Sequence, residues 1–187
     1  MRAAREVFSE LGYDAATFQE IAVRADLTRP AINHYFKSKR VLYQEVVERT
    51  NEIVVALSVK KAFESPTLLG QLDAFIDAAV GADFGDRSAA AFLVTSVMEA
   101  QRHPELRDDQ HDALLATRSF LNWAITGAIE RGELTTDTPV APLVEMMTAM
   151  LWGIGFYAGF VGGHTELKTI TDEFKQLLLG KLWDWRS

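Results

Sequence analysis

Arg29, Pro30, Asn33, His34 and Lys37 follow one another closely along the chain, and the last four share one face of a helix at i, i+3, i+4 and i+7. Their chemistry is that of a donor-rich surface. A guanidinium at Arg29 suits guanine O6 and N7, and a carboxamide at Asn33 suits adenine N6 and N7, each through a bidentate pair. Lys39 and Arg40 add charge, and residues 27–44 contain no acid. A solvated basic face accounts for the same letters, so charge alone leaves both readings open. A second constellation is Asp108, His111 and Asp112, at i, i+3 and i+4, a spacing compatible with a divalent ion. A polar first turn after Pro104, with acids near a helix N-terminus, explains it as well, and no metal is expected. The sequence has no cysteine and no GxGxxG, Walker, GxSxG or HExxH pattern, so neither catalytic residues nor a cofactor are expected.

Helical periodicity must position these groups, because no stretch shows sustained apolar and polar alternation between hairpin turns. Predicted helices run over Arg2–Leu11, Phe18–Arg24, Arg29–Phe36, Lys39–Phe63, Pro66–Ala82, Arg87–Arg102, Pro104–Arg131, Val140–Val161 and Leu167–Trp185. Thr17 and Glu20 have the spacing of a capping box, and Thr28 can cap the next helix, with Leu27 and Ile32 at the positions of a hydrophobic staple. Ile21, Ala22, Leu27, Ile32 and Phe36 are expected to pack inward with Phe8 and Leu11. The result is a helix-turn-helix, whose second helix presents its N-terminal half and outer face to a major groove. Glycines 12, 132, 162 and 163 fall where helix ends tolerate positive φ.

The chain has 187 residues and a net charge of −7, which as an average argues against nucleic acid. Its distribution reverses that. Residues 1–49 carry eight Lys or Arg against seven Asp or Glu, leaving eleven against nineteen for the remainder. Met146–Gly163 is 18 residues long and uncharged, at the lower edge of a membrane span. Five glycines and flanking acids at Glu145 and Glu166 favour a buried helix, so no membrane is expected. No signal-peptide pattern is seen, and a cytoplasmic location is the expectation.

The residues Ala3-Ala4-Arg5-Glu6-Val7-Phe8, Gly12-Tyr13, Thr17-Phe18, Glu20-Ile21-Ala22, Ala25, Thr28, His34-Tyr35-Phe36-Lys37-Ser38-Lys39 and Leu42 resemble the N-terminal domain of TetR-family transcriptional regulators. The resemblance is specific over about 3–47 and weak beyond. It implies an all-α protein, with a three-helix helix-turn-helix DNA-binding domain at 1–48 and a helical ligand-binding and dimerisation domain at 49–187. The family's usual turn glycine is replaced by Asp26 and its usual recognition-helix aromatic by Asn33. Any basic arm before the first helix is expected to be short. The resemblance further implies that Lys39, capped by Ser38, binds phosphate, and that Thr17 meets a phosphate across the groove. His34 and Tyr35 complete the expected DNA-contacting set, with a core position for Tyr35 left open.

The remainder is rich in aromatic residues, among them Phe84, Trp183 and Trp185. The family's effector pocket is expected among its middle helices, with Phe92, Met98, Phe120, Trp123 and Met150 as lining candidates and plain core packing as their alternative. Leu167, Ile170, Phe174, Leu177, Leu178 and Leu182 form an apolar stripe, and Gly155, Gly159 and Gly163 recur at four-residue spacing. Gly155, Gly159, Ile170, Phe174, Leu177 and Leu178 are therefore expected at a homodimer interface, which would supply the twofold symmetry needed to read a palindromic operator. The expected function is a repressor released by a small, largely apolar effector. The alternative is a helical ligand- or partner-binding protein whose DNA-binding head is degenerate.

Overall fold

The computed structural model describes residues 1–82, 87–107 and 112–182, apart from the side chains of Ala82 and His164. Among the described residues every regular element is helical. Helices α1 (Arg2–Ala15), α2 (Phe18–Arg24), α3 (Arg29–Tyr35) and α4 (Lys39–Asn51) build the head. A π-helical turn, Glu52–Ala56, carries α4 into α5 (Leu57–Ala62), followed by α6 (Leu68–Ala82) and α7 (Ser88–Arg102). A 3-10 turn, Pro104–Leu106, precedes α8 (Ala113–Glu130). Then come α9 (Val140–Phe156), a second π-helical turn (Tyr157–Val161) and α10 (His164–Leu178).

Caps fix the head. The Glu20 N–H donates to Thr17 Oγ1 (3.2 Å) and the Thr17 N–H to Glu20 Oε2 (2.9 Å), closing the expected capping box. At the C-terminus of α2, Asp26 takes φ 53°, and the Leu27 N–H donates to the Ala22 carbonyl at 2.9 Å, satisfying an orphan carbonyl. An aspartate tolerates this left-handed position, which explains why the turn survives without glycine. The Ala31 N–H donates to Thr28 Oγ1 (3.3 Å) and the Val41 N–H to Ser38 Oγ (3.2 Å), starting α3 and α4. Leu27 and Leu11 depart from expectation: both face solvent. Leu27 follows the left-handed step at Asp26, and Leu11 precedes the break in α1 at Gly12, whose φ is 76°.

The head core joins Val7, Phe8, Ile21, Ala22, Ile32, Leu42, Tyr43 and Val46 with Phe92 of α7 and Leu106 of the following turn. Head and body therefore share a core, and α1 lies against α7. A second core unites α6, α8, α9 and α10 around Leu72, Phe120, Leu121, Met147 and Phe174. The expected helix over Pro104–Arg131 is divided. Asp112 Oδ1 accepts from the Leu114 and Leu115 N–H groups (2.8 and 3.1 Å) and starts α8 afresh. Helix α9 and the π-helical turn that continues it, Val140–Val161, together meet the length and apolarity needed to cross a bilayer, yet α9 buries Val144, Met147 and Leu151 within its own chain. Helix α10 stops at Leu178, where Gly180 takes φ 66°. Phe84, Asp108, His111, Trp183 and Trp185 lie outside the described residues.

Candidate nucleic-acid interface and effector cavity

The second helix of the motif, α3, buries Ile32 and turns its other residues outward. Arg29, Pro30, Asn33, His34 and Lys37 are all open to solvent in whole or in part, as are Thr17 and Thr28. Tyr35 is 75% exposed and stacks edge-on against His34 at 5.3 Å, so it is not a core residue. The first helix of the motif is clamped from behind by Arg24, whose Nη1 and Nη2 donate to Glu10 Oε1 and Oε2 at 2.8 and 2.6 Å. That hydrogen-bonded guanidinium holds the Glu10 carboxyl below the usual carboxylate range. No acid interrupts the outward face of α3, and its side chains are free to reach base edges and phosphates.

Lys39 departs from the sequence expectation. Its Nζ donates to the carbonyls of Tyr13 (2.7 Å) and Asp14 (2.9 Å) and lies 4.6 Å from the Tyr13 ring centroid. The carbonyl end of α1 is the negative pole of that helix, and it holds the ammonium inward. Lys39 thus ties α4 to α1 where a free phosphate-binding lysine was expected. Arg40 is exposed. It was absent from the expected contact set, although the acid-free run that contains it was visible.

The head is keyed to the body beside this lysine. Gly12 leaves room for Glu99 of α7: a Cβ there would lie 2.9 Å from Glu99 Oε1. The same oxygen accepts from the Tyr13 N–H at 3.2 Å. His103 Nε2 sits 3.3 Å from Asp14 Oδ2, and Arg5 Nε donates to Ser88 Oγ at 2.9 Å. Nothing in the sequence flags Glu99, since it pairs with residues far away along the chain.

An apolar cavity with about 680 Å³ of empty space, counting its mouth, lies in the body. Val54 and Val55 of the first π-helical turn, Phe75 and Ala79 of α6, Ala90 and Leu93 of α7, Thr117 of α8, Trp152 and Gly155 of α9, and Ala158 of the second π-helical turn help to line it. Among the described residues no charged one contributes, and the Thr117 hydroxyl already donates to the Ala113 carbonyl at 2.8 Å. Both departures from α-helical geometry contribute walls, as such bulges often do at binding sites.

None of the five sequence candidates lines this cavity. Phe92 is buried in the head core, with Phe8 and Tyr43 rings 6.5 and 5.4 Å away. Its neighbour Leu93, a helical step of about 100° onward, faces the cavity instead. Phe120 stacks behind Phe75 at 4.9 Å. Trp123 packs edge-on against Phe63 at the surface, Met98 is exposed, and Met150 packs against the second core. Two other aromatic residues, Phe75 and Trp152, line the cavity instead, among aliphatic side chains.

The expected dimer residues are also redistributed. Gly155 borders the cavity. Gly159 lies against α7 of its own chain, where a Cβ would come within 2.6 Å of the Ala91 nitrogen. Phe174 is buried in the second core with Leu178 packed beside it, while Ile170 and Leu177 are half-buried. The apolar residues left open on α9 and its extension include Met146, Phe156 and Phe160, 47, 50 and 45% exposed and aligned with exposed Ala149 and Gly153 at helical spacing, and Val161, 56% exposed.

Residues 1–46 match the family model described as bacterial regulatory proteins of the tetR family, and residues 64–157 match that of the tetracyclin repressor-like C-terminal domain. The HTH-type transcriptional regulator UidR of Escherichia coli K12 is 23% identical over 154 residues, spanning 82% of this chain and 76% of its own. The TetR family transcriptional regulator PfmR from Thermus thermophilus shares the fold, with TM-score 0.76, 21% identity and 98% of each chain covered. The transcriptional regulator FadR from Bacillus subtilis, solved in complex with stearoyl-CoA, aligns with TM-score 0.74 and 22% identity over 97% of this chain and 96% of its own. With a helix-turn-helix head carrying an outward donor face, and with matches to both parts of the family's architecture, the chain belongs to the TetR family and is a DNA-binding transcriptional regulator.

Proposed function

We propose that this regulator works in the cytosol as a homodimeric repressor of a palindromic operator, which it leaves when a small, predominantly apolar effector enters the body. The observation that carries the reading is the apolar cavity, without a charge among its described lining residues, beside the π-helical turn that continues α4. An occupant there touches the extension of the helix that also supports the head. Stearoyl-CoA bound to a regulator of the same fold supports a ligand with a long apolar part. The head is assigned to 1–48 and the body to 49–187, a division supported on the head side by the family match over 1–46.

Arg29 and Asn33 are assigned base contacts, with Thr17, Thr28, Pro30, His34, Tyr35 and Lys37 arranged around them on the outward face. Two copies pairing through the open stripe of α9 bring two heads into register with half-sites about one helical turn, or a multiple, apart. That pairing also covers apolar surface without recourse to a membrane. Thermal unfolding with hydrophobic probes tests the effector part of the reading. Binders that raise the melting temperature should also release the protein from its selected DNA site. Probes that stabilise the protein while leaving DNA affinity unchanged would contradict it.

A further inference from the structure

A second cavity adjoins the first across Leu93, which lines both. With about 1010 Å³ of empty space including its mouth, it lies between α4, α7 and the start of α8, and its character is different. Tyr43, Gln101, Arg107, Asp112 and Arg118 bring polar groups to its wall. Tyr43 is 2% exposed, and its hydroxyl has no hydrogen-bond partner; Arg118 Nε is likewise buried and unpartnered. Both atoms are donors. Buried donors are rarely left without acceptors; these two lie on residues that line one cavity but are themselves closed off from its free space, so a ligand that displaces the wall and brings acceptor oxygens would satisfy both. Burial, reinforced by the nearby Glu99 charge, raises the Tyr43 pKa and keeps the hydroxyl a donor. The remaining charges there are partly engaged. Arg118 Nη2 donates to Glu145 Oε2 (2.9 Å), Arg107 to the Ala100 carbonyl and Gln101 Oε1 (2.9 and 3.2 Å), and Asp112 Oδ1 caps α8.

We infer that the effector is an amphipathic anion: its carboxylate or phosphate head is received by Tyr43 Oη and Arg118 Nε in the polar cavity, and its apolar chain runs past a displaced Leu93 into the apolar one. This rests on the effector reading above and gives it a polarity. It also makes Tyr43 the point where ligand meets head. The Tyr43 ring packs edge-on against Phe8 and Tyr13 at 5.0 and 5.1 Å, inside the core that holds α1 against α4. An acceptor drawn to the hydroxyl therefore acts on the head core itself.

Calorimetric titration of the full chain with decanoate, decyl phosphate and 1-decanol, and with tetradecanoate and 1-tetradecanol, tests this. One of the two anions should bind at least about tenfold more tightly than the alcohol of equal length, and which of them does so identifies the head. Tyr43→Phe should weaken that anion by about tenfold to a hundredfold, leave the alcohol unchanged, and melt no lower than wild type. Arg118→Gln should reduce the same selectivity. Equal binding of anion and alcohol, or a selectivity that both variants retain, overturns the inference while leaving an apolar effector intact. Failure of every amphiphile to bind overturns the effector reading itself.

Discussion

Lys39 shows how a side chain can match a familiar position and be held by something else. Its ammonium lies on the Tyr13 and Asp14 carbonyls, so Lys39→Ala should lower the melting temperature and leave the salt dependence of DNA binding nearly unchanged. Lys37 sits on the outer face with its charge open to solvent; Lys37→Ala should weaken all sequences alike and reduce the logarithmic salt slope by about one. Binding measured across a salt series separates the two, and a flattened slope for Lys39→Ala would restore its phosphate role. Glu10 makes a prediction with a sign. Because Arg24 depresses its folded pKa, the pair stabilises the head above the ordinary glutamate range, and that contribution disappears as pH falls through the lowered value. Carboxyl NMR titration should find Glu10 below the ordinary range in wild type and back within it in Arg24→Gln. Caps such as Thr17–Glu20 were legible in the sequence because both partners lie within one turn. The Lys39 contact spans 25 and 26 residues, and no local pattern announces it.

At the scale of elements, the two π-helical turns extend α4 and α9 and bring Val54, Val55 and Ala158 to the cavity wall. The second of them is pressed onto α7 at Gly159. Gly159→Ala drives a methyl into the Ala91 backbone, which cannot retreat as a flexible side chain would. Chemical denaturation should register a loss of about 1–3 kcal/mol, and the ligand-free cavity should become more accessible to apolar fluorescent dyes. A variant that unfolds like wild type but dimerises more weakly would return Gly159 to the subunit interface. The run of four-residue glycine spacing was visible in the sequence, but the helix it admits was not. The head helices were read closely because caps and a short apolar stripe determine them. The break before α8 was missed because Pro104 suits a first turn of either the 3-10 turn or a long helix, and the cap that restarts the helix is Asp112, eight residues on.

On the scale of the whole molecule, segregation of charge and apolar surface organises the function. The head carries its donors outward, the acidic surplus lies in the body, and in the proposed dimer the open stripe of α9 receives a second copy. Phe156→Glu should yield a monomer in sedimentation at concentrations where wild type is a dimer, with specific DNA affinity falling by more than about tenfold because two half-sites are no longer bound together. A dimeric Phe156→Glu protein would place the interface elsewhere. The head's identity was legible because its motif is short and local, whereas the cavity depends on which of two adjacent buried α7 residues, Phe92 or Leu93, lines it and which enters the head core. Central to the account is that the outward α3 face reads sequence. Selection of bound sites from random DNA at physiological salt, repeated with Asn33→Ala and Arg29→Ala, measures this directly. The wild type should enrich a palindrome, and each variant should relax preference at one symmetric base position by about 1–3 kcal/mol. Absence of any enriched site, with binding that disappears uniformly as salt rises, would contradict the account.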